Sequence, residues 1–295
     1  MTPTSAKIVF FGTEDFSLTA LTGLIEAGYD IAAVITKPDS KRGRGQHLTA
    51  PSVKVLAQRH NIPVWQPTDL TDIAEDIRAL QPVTGVLVSY GKIVPQTLIN
   101  LFTPGIINVH PSLLPKYRGP SPIESAILNA DPSTGVSIMQ LSRAMDAGPV
   151  YAVKNHQLTG SETQAELYHA LAVIGTDLLL ETLPAILDGS LIPTPQDENQ
   201  VSYCPLLLKA DGLLIPEKFT ADEAARRVRA YLNYPKARIT HGDTSLIITK
   251  AHVAPTKNTP LDIQFKDGAF LVIDELVSPH GRRMSADAYL RGHLT

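Results

Sequence analysis

The 295-residue chain has one cysteine, Cys204. A single thiol cannot close an internal disulfide or build a multi-cysteine zinc or iron–sulfur site. Aromatic residues make up only 6%, with a single tryptophan, Trp65. No uninterrupted apolar run approaches the ~18 residues that span a bilayer. The apolar start Ile8–Phe11 is far shorter than the core of a secretory signal. No Gly-x-Gly-x-x-Gly follows that first run, so a dinucleotide fingerprint is absent, and so is the Gly-x-x-x-x-Gly-Lys-Ser/Thr loop of ATP and GTP sites. His47 and His60 have no metal-ligand spacing around them, and no metal is expected. Neither sign of charge dominates, with 26 basic and 29 acidic residues and a net charge of −3. Hydrophobic residues make up 43% of the chain, enough to bury a substantial core and to exclude a disordered protein. These features predict a soluble protein of a reducing compartment, most simply the cytoplasm.

The pattern along the chain is that of an α/β protein. Lys7–Gly12 reads as a buried strand ending in a turn. Asp15 is placed to cap a helix from Phe16 to Ala27, with Leu18, Leu21, Leu24 and Ile25 on one face. A second buried strand at Ile31–Thr36 precedes a basic, glycine-containing loop at 37–47. Pro51 can occupy the first turn of a helix ending near His60. Further short apolar strands at 63–65, 86–89 and 106–110 alternate with helices, the signature of a parallel sheet. Glu162–Leu187 has helical spacing and is closed by Gly189. Residues 190–205 contain Pro193, Pro195 and Pro205 among polar residues, a composition that suits an interdomain linker. Beyond it, short strand-like runs in about ninety residues suggest a small β-barrel. Divided at this linker, the net charge is −6 over residues 1–204 and +3 over 205–295. A mildly basic barrel beside an acidic α/β domain is compatible with a nucleic-acid partner.

Asn108 and His110 stand two apart at the carboxyl end of a predicted strand, so both side chains share one face. That edge is where open α/β sheets bind ligands. The same pair also reads as a satisfied polar couple at a strand end. The loop that follows, Pro111–Pro120, is stiffened by proline at three points. Ser112, Leu113 and Leu114 offer it a hydroxyl, peptide groups and apolar faces suited to a flat heterocycle, although an ordinary proline-rich connector looks alike. Asp146 is a lone aspartate in a turn, usually only a turn former. Lys41, Arg42 and Arg44 are either a nucleic-acid grip or a solvated charged turn. Trp65 and Cys204 look structural.

The pattern Asn108-x-His110-x-Ser112-Leu113-Leu114-Pro115-x-x-Arg118-Gly119, followed by Met145-Asp146-x-Gly148, resembles the folate-dependent formyltransferases. The resemblance extends to Phe10-Phe11-Gly12-Thr13-x-Asp15-Phe16, to Pro38-Asp39 with Gly43-Arg44-Gly45, to Asp211-Gly212, to Tyr231-x-x-Tyr234-Pro235 and to Met284-Ser285-Ala286, almost the whole chain. It is nearest to the branch that formylates the initiator methionyl-tRNA. The resemblance implies a Rossmann-like, mostly parallel formyltransferase domain at 1–189, a linker at 190–205 and an OB-like, tRNA-binding barrel at 206–295. It implies 10-formyltetrahydrofolate as formyl donor, met by Ser112, Leu113, Leu114 and Pro115. Initiator Met-tRNA would be the acceptor, gripped by Lys41, Arg42 and Arg44. Ser40-Lys41-Arg42 departs from the family, standing where a proline-containing segment is common.

The resemblance also implies Asn108, His110 and Asp146 as the catalytic set. The α-amino group of the aminoacyl-tRNA would attack the formyl carbon on N10. Asn108 and protonated His110 would donate to the developing oxyanion. Asp146 would pair with the imidazolium and accept the amine's proton through water. A monomer without membrane contact is expected. A formyltransferase acting on a 4-amino sugar nucleotide would share the Asn–His–Asp set, and a formyl-group hydrolase or a glycinamide ribonucleotide formyltransferase would share the core. In another class stands a non-catalytic RNA-binding protein.

Overall fold

The apolar run at the start forms β1 (Lys7–Gly12), buried from Ile8 onward. Residues 6–42, 45–241 and 244–293 are described in the computed structural model. Contacts divide the chain into two units. The first runs to Gly119 and adds Thr134–His156 and Tyr168–Tyr203. The second consists of Pro120–Ser133, Gln157–Leu167 and the chain from Cys204 onward.

In the first unit, α1 (Phe16–Glu26) buries Phe16, Ala20, Leu21 and Leu24, one helical face. Asp15 takes the N-cap position, but its backbone is already helical and its side chain makes no cap bond. The first turn is held instead by Glu14, whose carbonyl accepts from both the amide and the hydroxyl of Ser17. After β2 (Asp30–Ile35), the basic segment forms a hairpin of β3 (Ser40–Arg42) and β4 (His47–Thr49) where a loop was expected. Helix α2 (Ser52–Arg59) follows directly on Pro51. Then come β5 (Val64–Trp65), α3 (Ala74–Leu80), β6 (Val83–Val88), α4 (Gln96–Ile99) and β7 (Ile106–His110). Helix α5 (Pro122–Leu128) is counted with the second unit, and β8 (Ser133–Gln140) and β9 (Val150–Gln157) complete the sheet.

The seven strands lie in the order β5-β2-β1-β6-β7-β8-β9. The pairs from β5 to β7 are parallel, and β7 pairs antiparallel with β8. This is the mostly parallel α/β sheet expected from the alternation of short apolar strands with helices. Trp65 is half-buried against the core of Phe11, Ile77, Tyr90 and Phe102.

Helix α6 (Gln164–Leu187) is long and apolar enough to cross a membrane by length and composition alone, with mean hydropathy 1.7 over its most apolar window. Its Leu171, Leu178, Leu179, Leu183 and Ile186 are instead buried within the protein. The helix comes close to the sheet at Gly175. A Cβ there would stand 2.8 Å from the Val109 Cγ1 of β7 and 3.2 Å from Val136 of β8. Both neighbours are β-branched and stiff, so they cannot move aside.

In the second unit, α7 (Ala221–Ala230) starts with a reciprocal cap. The Glu223 amide donates to the Thr220 hydroxyl at 3.1 Å, and the Thr220 amide donates back to the Glu223 carboxylate at 2.7 Å. Strands β10 (Arg238–His241), β11 (Thr244–Ala254), β12 (Ile263–Gln264) and β13 (Phe270–Val277) form an antiparallel sheet in the order β10-β11-β13-β12, with β14 (Arg283–Ser285) beside β13. The register shifts on either side of Lys250, and such bulges curl a sheet. Ala224, Val228, Leu246, Ile248, Leu271 and Leu276 form its core. Helix α8 (Ala286–His293) follows directly on β14 and closes the unit. The result is a small antiparallel half-barrel, the second part of the expected architecture.

Replacing Gly175 by valine should lower stability by about 1–3 kcal/mol through overpacking. The change should appear as a lower denaturant midpoint with an unchanged slope. An unaltered midpoint would mean that α6 does not lie so close to β7.

Candidate active site

Strand β7 places Asn108 opposite Leu87 of β6 and Met139 of β8, and His110 opposite Ser137. Both polar residues are 5% exposed at the carboxyl end of a central strand. Among the described residues, the Asn108 carboxamide has no hydrogen-bond partner. Among the described residues, the enclosed side-chain polar atoms without a partner are Tyr90 Oη and Arg229 Nε, so the Asn108 carboxamide reaches solvent and stands open to a group that arrives at the strand end.

Both ring nitrogens of His110 face acceptors. Nε2 lies 3.0 Å from the Tyr117 carbonyl, and Nδ1 lies 3.8 Å from Oδ2 of Asp146. The second distance is too long for a direct hydrogen bond but within ion-pair range. Asp146 has φ +49°, a left-handed turn conformation that aspartate tolerates better than most side chains. Its Oδ2 accepts from the Gly119 amide at 2.9 Å. The fold thus brings Asn108, His110 and Asp146 together, though Asp146 lies 36 residues beyond His110 in the chain.

The loop after β7 is pinned from within. The Ser137 hydroxyl of β8 donates to the Ser112 carbonyl at 2.7 Å and accepts from the Leu114 amide at 3.0 Å. Ser112 is fully buried, and its hydroxyl donates to the Lys116 carbonyl at 2.6 Å. Leu114 is buried as well, whereas Leu113 and Pro115 are only half-buried. Of the four residues expected at the formyl donor, Ser112 and Leu114 shape the loop and Leu113 and Pro115 present its surface.

Residues that the sequence reading left without a role hold Asp146 in place. The Gln196 side-chain amide donates to the carbonyls of both Asp146 and Gly148, each at 2.8 Å. Its own oxygen accepts from Arg118 Nε at 3.0 Å. Arg118 is 1% exposed, and its other nitrogens donate to Glu198 at 2.8 and 3.3 Å. The hydrogen bond from Arg118 holds the Glu198 carboxyl below the usual carboxylate range. The Arg118 amide donates to the Ser202 carbonyl and the Tyr117 amide to the Ser202 hydroxyl. Thr194 exchanges two backbone bonds with Val150 of β9. Residues 194–202, read from composition as part of a linker, are thus bound to the site loops along their length. Gly148 completes the turn, since a Cβ there would collide with the Gln140 carbonyl.

The basic hairpin has an ordered base. Lys54 Nζ lies 2.9 Å from both oxygens of Asp39, and Gln66 donates to Asp39 and to the Lys37 carbonyl at 2.8 Å. Gln66 and then Lys54 hold the Asp39 carboxyl below its ordinary value. Lys41 is exposed on β3. Arg42 lies on the same strand, and Arg44 falls outside the described residues. Cys204 is buried in the second unit, where its sulfur accepts from the Ser121 amide at 3.3 Å.

The site is therefore a polar cluster at the carboxyl end of a mostly parallel sheet, with an open amide donor and a histidine–carboxylate couple. It has the makings of an acyl-transfer enzyme rather than of a binding module alone. A family profile described as formyl transferase matches residues 6–183. The methionyl-tRNA formyltransferase of Myxococcus xanthus is 39% identical, over 97% of this chain and 95% of its own. That of Halorhodospira halophila is also 39% identical, over 98% and 96%. Among solved structures, HypX from Aquifex aeolicus in complex with tetrahydrofolic acid superposes with a TM-score of 0.70 at 18% identity. It covers 97% of this chain, which spans about half of HypX (47%). The chain belongs to the formyl transferase family.

If Gln196 positions Asp146, Gln196→Ala should lower kcat by about 10–100-fold, the scale of a ~1 Å misplacement at a reacting centre. KM values should change little, while the melting temperature should fall, because Arg118 Nε loses its acceptor. A fall in melting temperature with kcat retained would assign Gln196 to stability alone.

Proposed function

We propose that the chain transfers the formyl group of 10-formyltetrahydrofolate to the α-amino group of methionyl-initiator-tRNA, as a monomeric cytoplasmic enzyme of translation initiation. The observation that carries this reading is the open Asn108 amide beside the His110–Asp146 couple, in a chain 39% identical over nearly its whole length to proteins named for this reaction. The tetrahydrofolic acid of the HypX structure supports a folate as donor.

The amine attacks the formyl carbon directly, so the scheme needs neither a thiol nor a metal. As the tetrahedral centre forms, its oxygen becomes negative, and Asn108 donates to it without giving up a bond to another protein group. His110 supplies a second donor by giving up the Tyr117 carbonyl. Asp146 uses a lone pair for Gly119 and keeps others for a water that takes the proton of the attacking amine. The C–N10 bond then breaks and N10 receives a proton, leaving tetrahydrofolate and formyl-methionyl-tRNA. Leu113 and Pro115 flank the donor's flat ring, on a loop whose shape is set by Ser112 and Leu114. Lys41, Arg42 and Arg44 grip the acceptor end of the tRNA. The basic residues of 206–295 add further phosphate contacts.

The test is transfer of labelled formyl from 10-formyltetrahydrofolate to Met-tRNA, run beside 4-amino sugar nucleotides as acceptors. Formylation of the tRNA is expected. Formylation of the sugar alone would contradict the reading, and no transfer to any amine would leave a binding protein. Neutralising Lys41, Arg42 and Arg44 together should weaken tRNA binding and reduce the slope of log affinity against log salt by roughly 2–3. An unchanged slope would remove the hairpin from the tRNA interface.

A further inference from the structure

The second unit contains a pocket of its own. It is lined by Ser121 and Glu124 at the start of α5, Gln164 at the start of α6, Leu206, and Asn233 and Tyr234 after α7. Its volume is about 210 Å³. That is below the ~300–1,000 Å³ of pockets that enclose a whole small ligand, so it suits a single ring system. The walls are of two kinds. Tyr234 and Leu206 are 54% and 70% exposed, large apolar groups left open. Opposite in character is a row of polar side chains joined to one another. Asn233 Nδ2 donates to Gln164 Oε1 at 2.7 Å, and Gln164 Nε2 donates to Glu124 at 3.4 Å. Gln164 is 6% exposed, so the row is fixed. Asn233 keeps its second N–H and its carbonyl oxygen for another partner, and Glu124 offers acceptor oxygens.

No lysine or arginine lines this pocket, so it is not built for phosphate. An aromatic face with amide and carboxyl groups at its margin matches a nucleobase. An amide reads adenine through its amino group and ring nitrogen, and a carboxylate accepts from an exocyclic amino group. Burial also pushes the Glu124 carboxyl up, and an N–H donor placed against it would relieve that strain on the charged form.

We propose that this pocket holds a base with an exocyclic amino group from the unpaired 3′ end of tRNA, stacked on Tyr234 and hydrogen-bonded to Glu124 and Asn233. The inference rests on tRNA as the acceptor. The 3′ end carries the aminoacyl group and must enter the enzyme, and its unpaired bases are free to be splayed out. Adenine and cytosine, the bases of that end, both bear the required amino group. The contact is common to all tRNAs, so it contributes affinity and placement rather than choice of the initiator.

The test compares equilibrium binding of initiator tRNA with a complete 3′ end and the same tRNA trimmed of its last three nucleotides. The wild-type protein should prefer the complete form by about tenfold, the scale of one base stacked on an aromatic ring. Tyr234→Leu should bind both forms alike, at the affinity of the trimmed one. Tyr234→Phe keeps the ring and should keep the preference. A preference retained by Tyr234→Leu, or absent from the wild-type protein, would overturn the proposal. Formylation of Met-tRNA by the wild-type protein is read separately. Formylation without an end preference sinks this inference alone, and an end preference without formylation sinks the proposed activity alone.

Discussion

A buried guanidinium organises the candidate active site. Arg118 cannot shed its charge, so every N–H that leaves water must find an acceptor. The chain answers with Gln196 and Glu198, drawn from a stretch about 80 residues further on. Once Gln196 accepts from Arg118, the orientation of its amide is settled, and its NH₂ end can only donate. It donates to the carbonyls of Asp146 and Gly148. The Asp146 turn is thus tied through Gln196 to that one compensated charge, with the Gly119 amide as a second anchor on its carboxylate. The same need fixes Ser202 against the loop that carries Tyr117, the residue whose carbonyl holds His110.

Much of this was legible in the sequence, and the limits have physical causes. Short apolar strands alternating with helices are a local property, so the parallel sheet and the places of β1, β2 and β7 could be read directly. Asn108 and His110 could be paired because two residues apart in a strand always share a face. Asp146 could be linked to them only through family resemblance, since nothing local ties a turn to a strand 36 residues away. Gln196 and Glu198 gave no signal, because proline and polar residues look the same in a free linker and in a segment clamped by side-chain bonds. Ser112 is tied to the formyl donor by family resemblance, and that the Ser112 hydroxyl bonds inward to the Lys116 carbonyl could not be read from sequence, because a hydroxyl looks the same whichever way it faces. The basic segment was read as a loop for its glycines, although its flanks pair as a hairpin anchored by Asp39, Lys54 and Gln66.

The site also separates two tasks that formyl transfer requires. Asn108 stands unpaired at the sheet edge, ready to meet a charge that develops only during the reaction. Asp146 is anchored through the Gly119 amide and through Gln196, and His110 through the Tyr117 carbonyl, so the groups proposed to handle protons start from fixed positions. Such preorganisation is what makes hydrogen-bond donors effective in a site shielded from water.

Asn108 is proposed to act on the chemical step and not on binding. Its most direct test is a single-turnover measurement of formyl transfer by Asn108→Ala with both substrates saturating. The rate should fall about 10²–10³-fold below wild type, the cost of one oxyanion donor, with unchanged dissociation constants for the formyl donor and the tRNA. A near-normal single-turnover rate, or a loss seen only in substrate affinity, would contradict it.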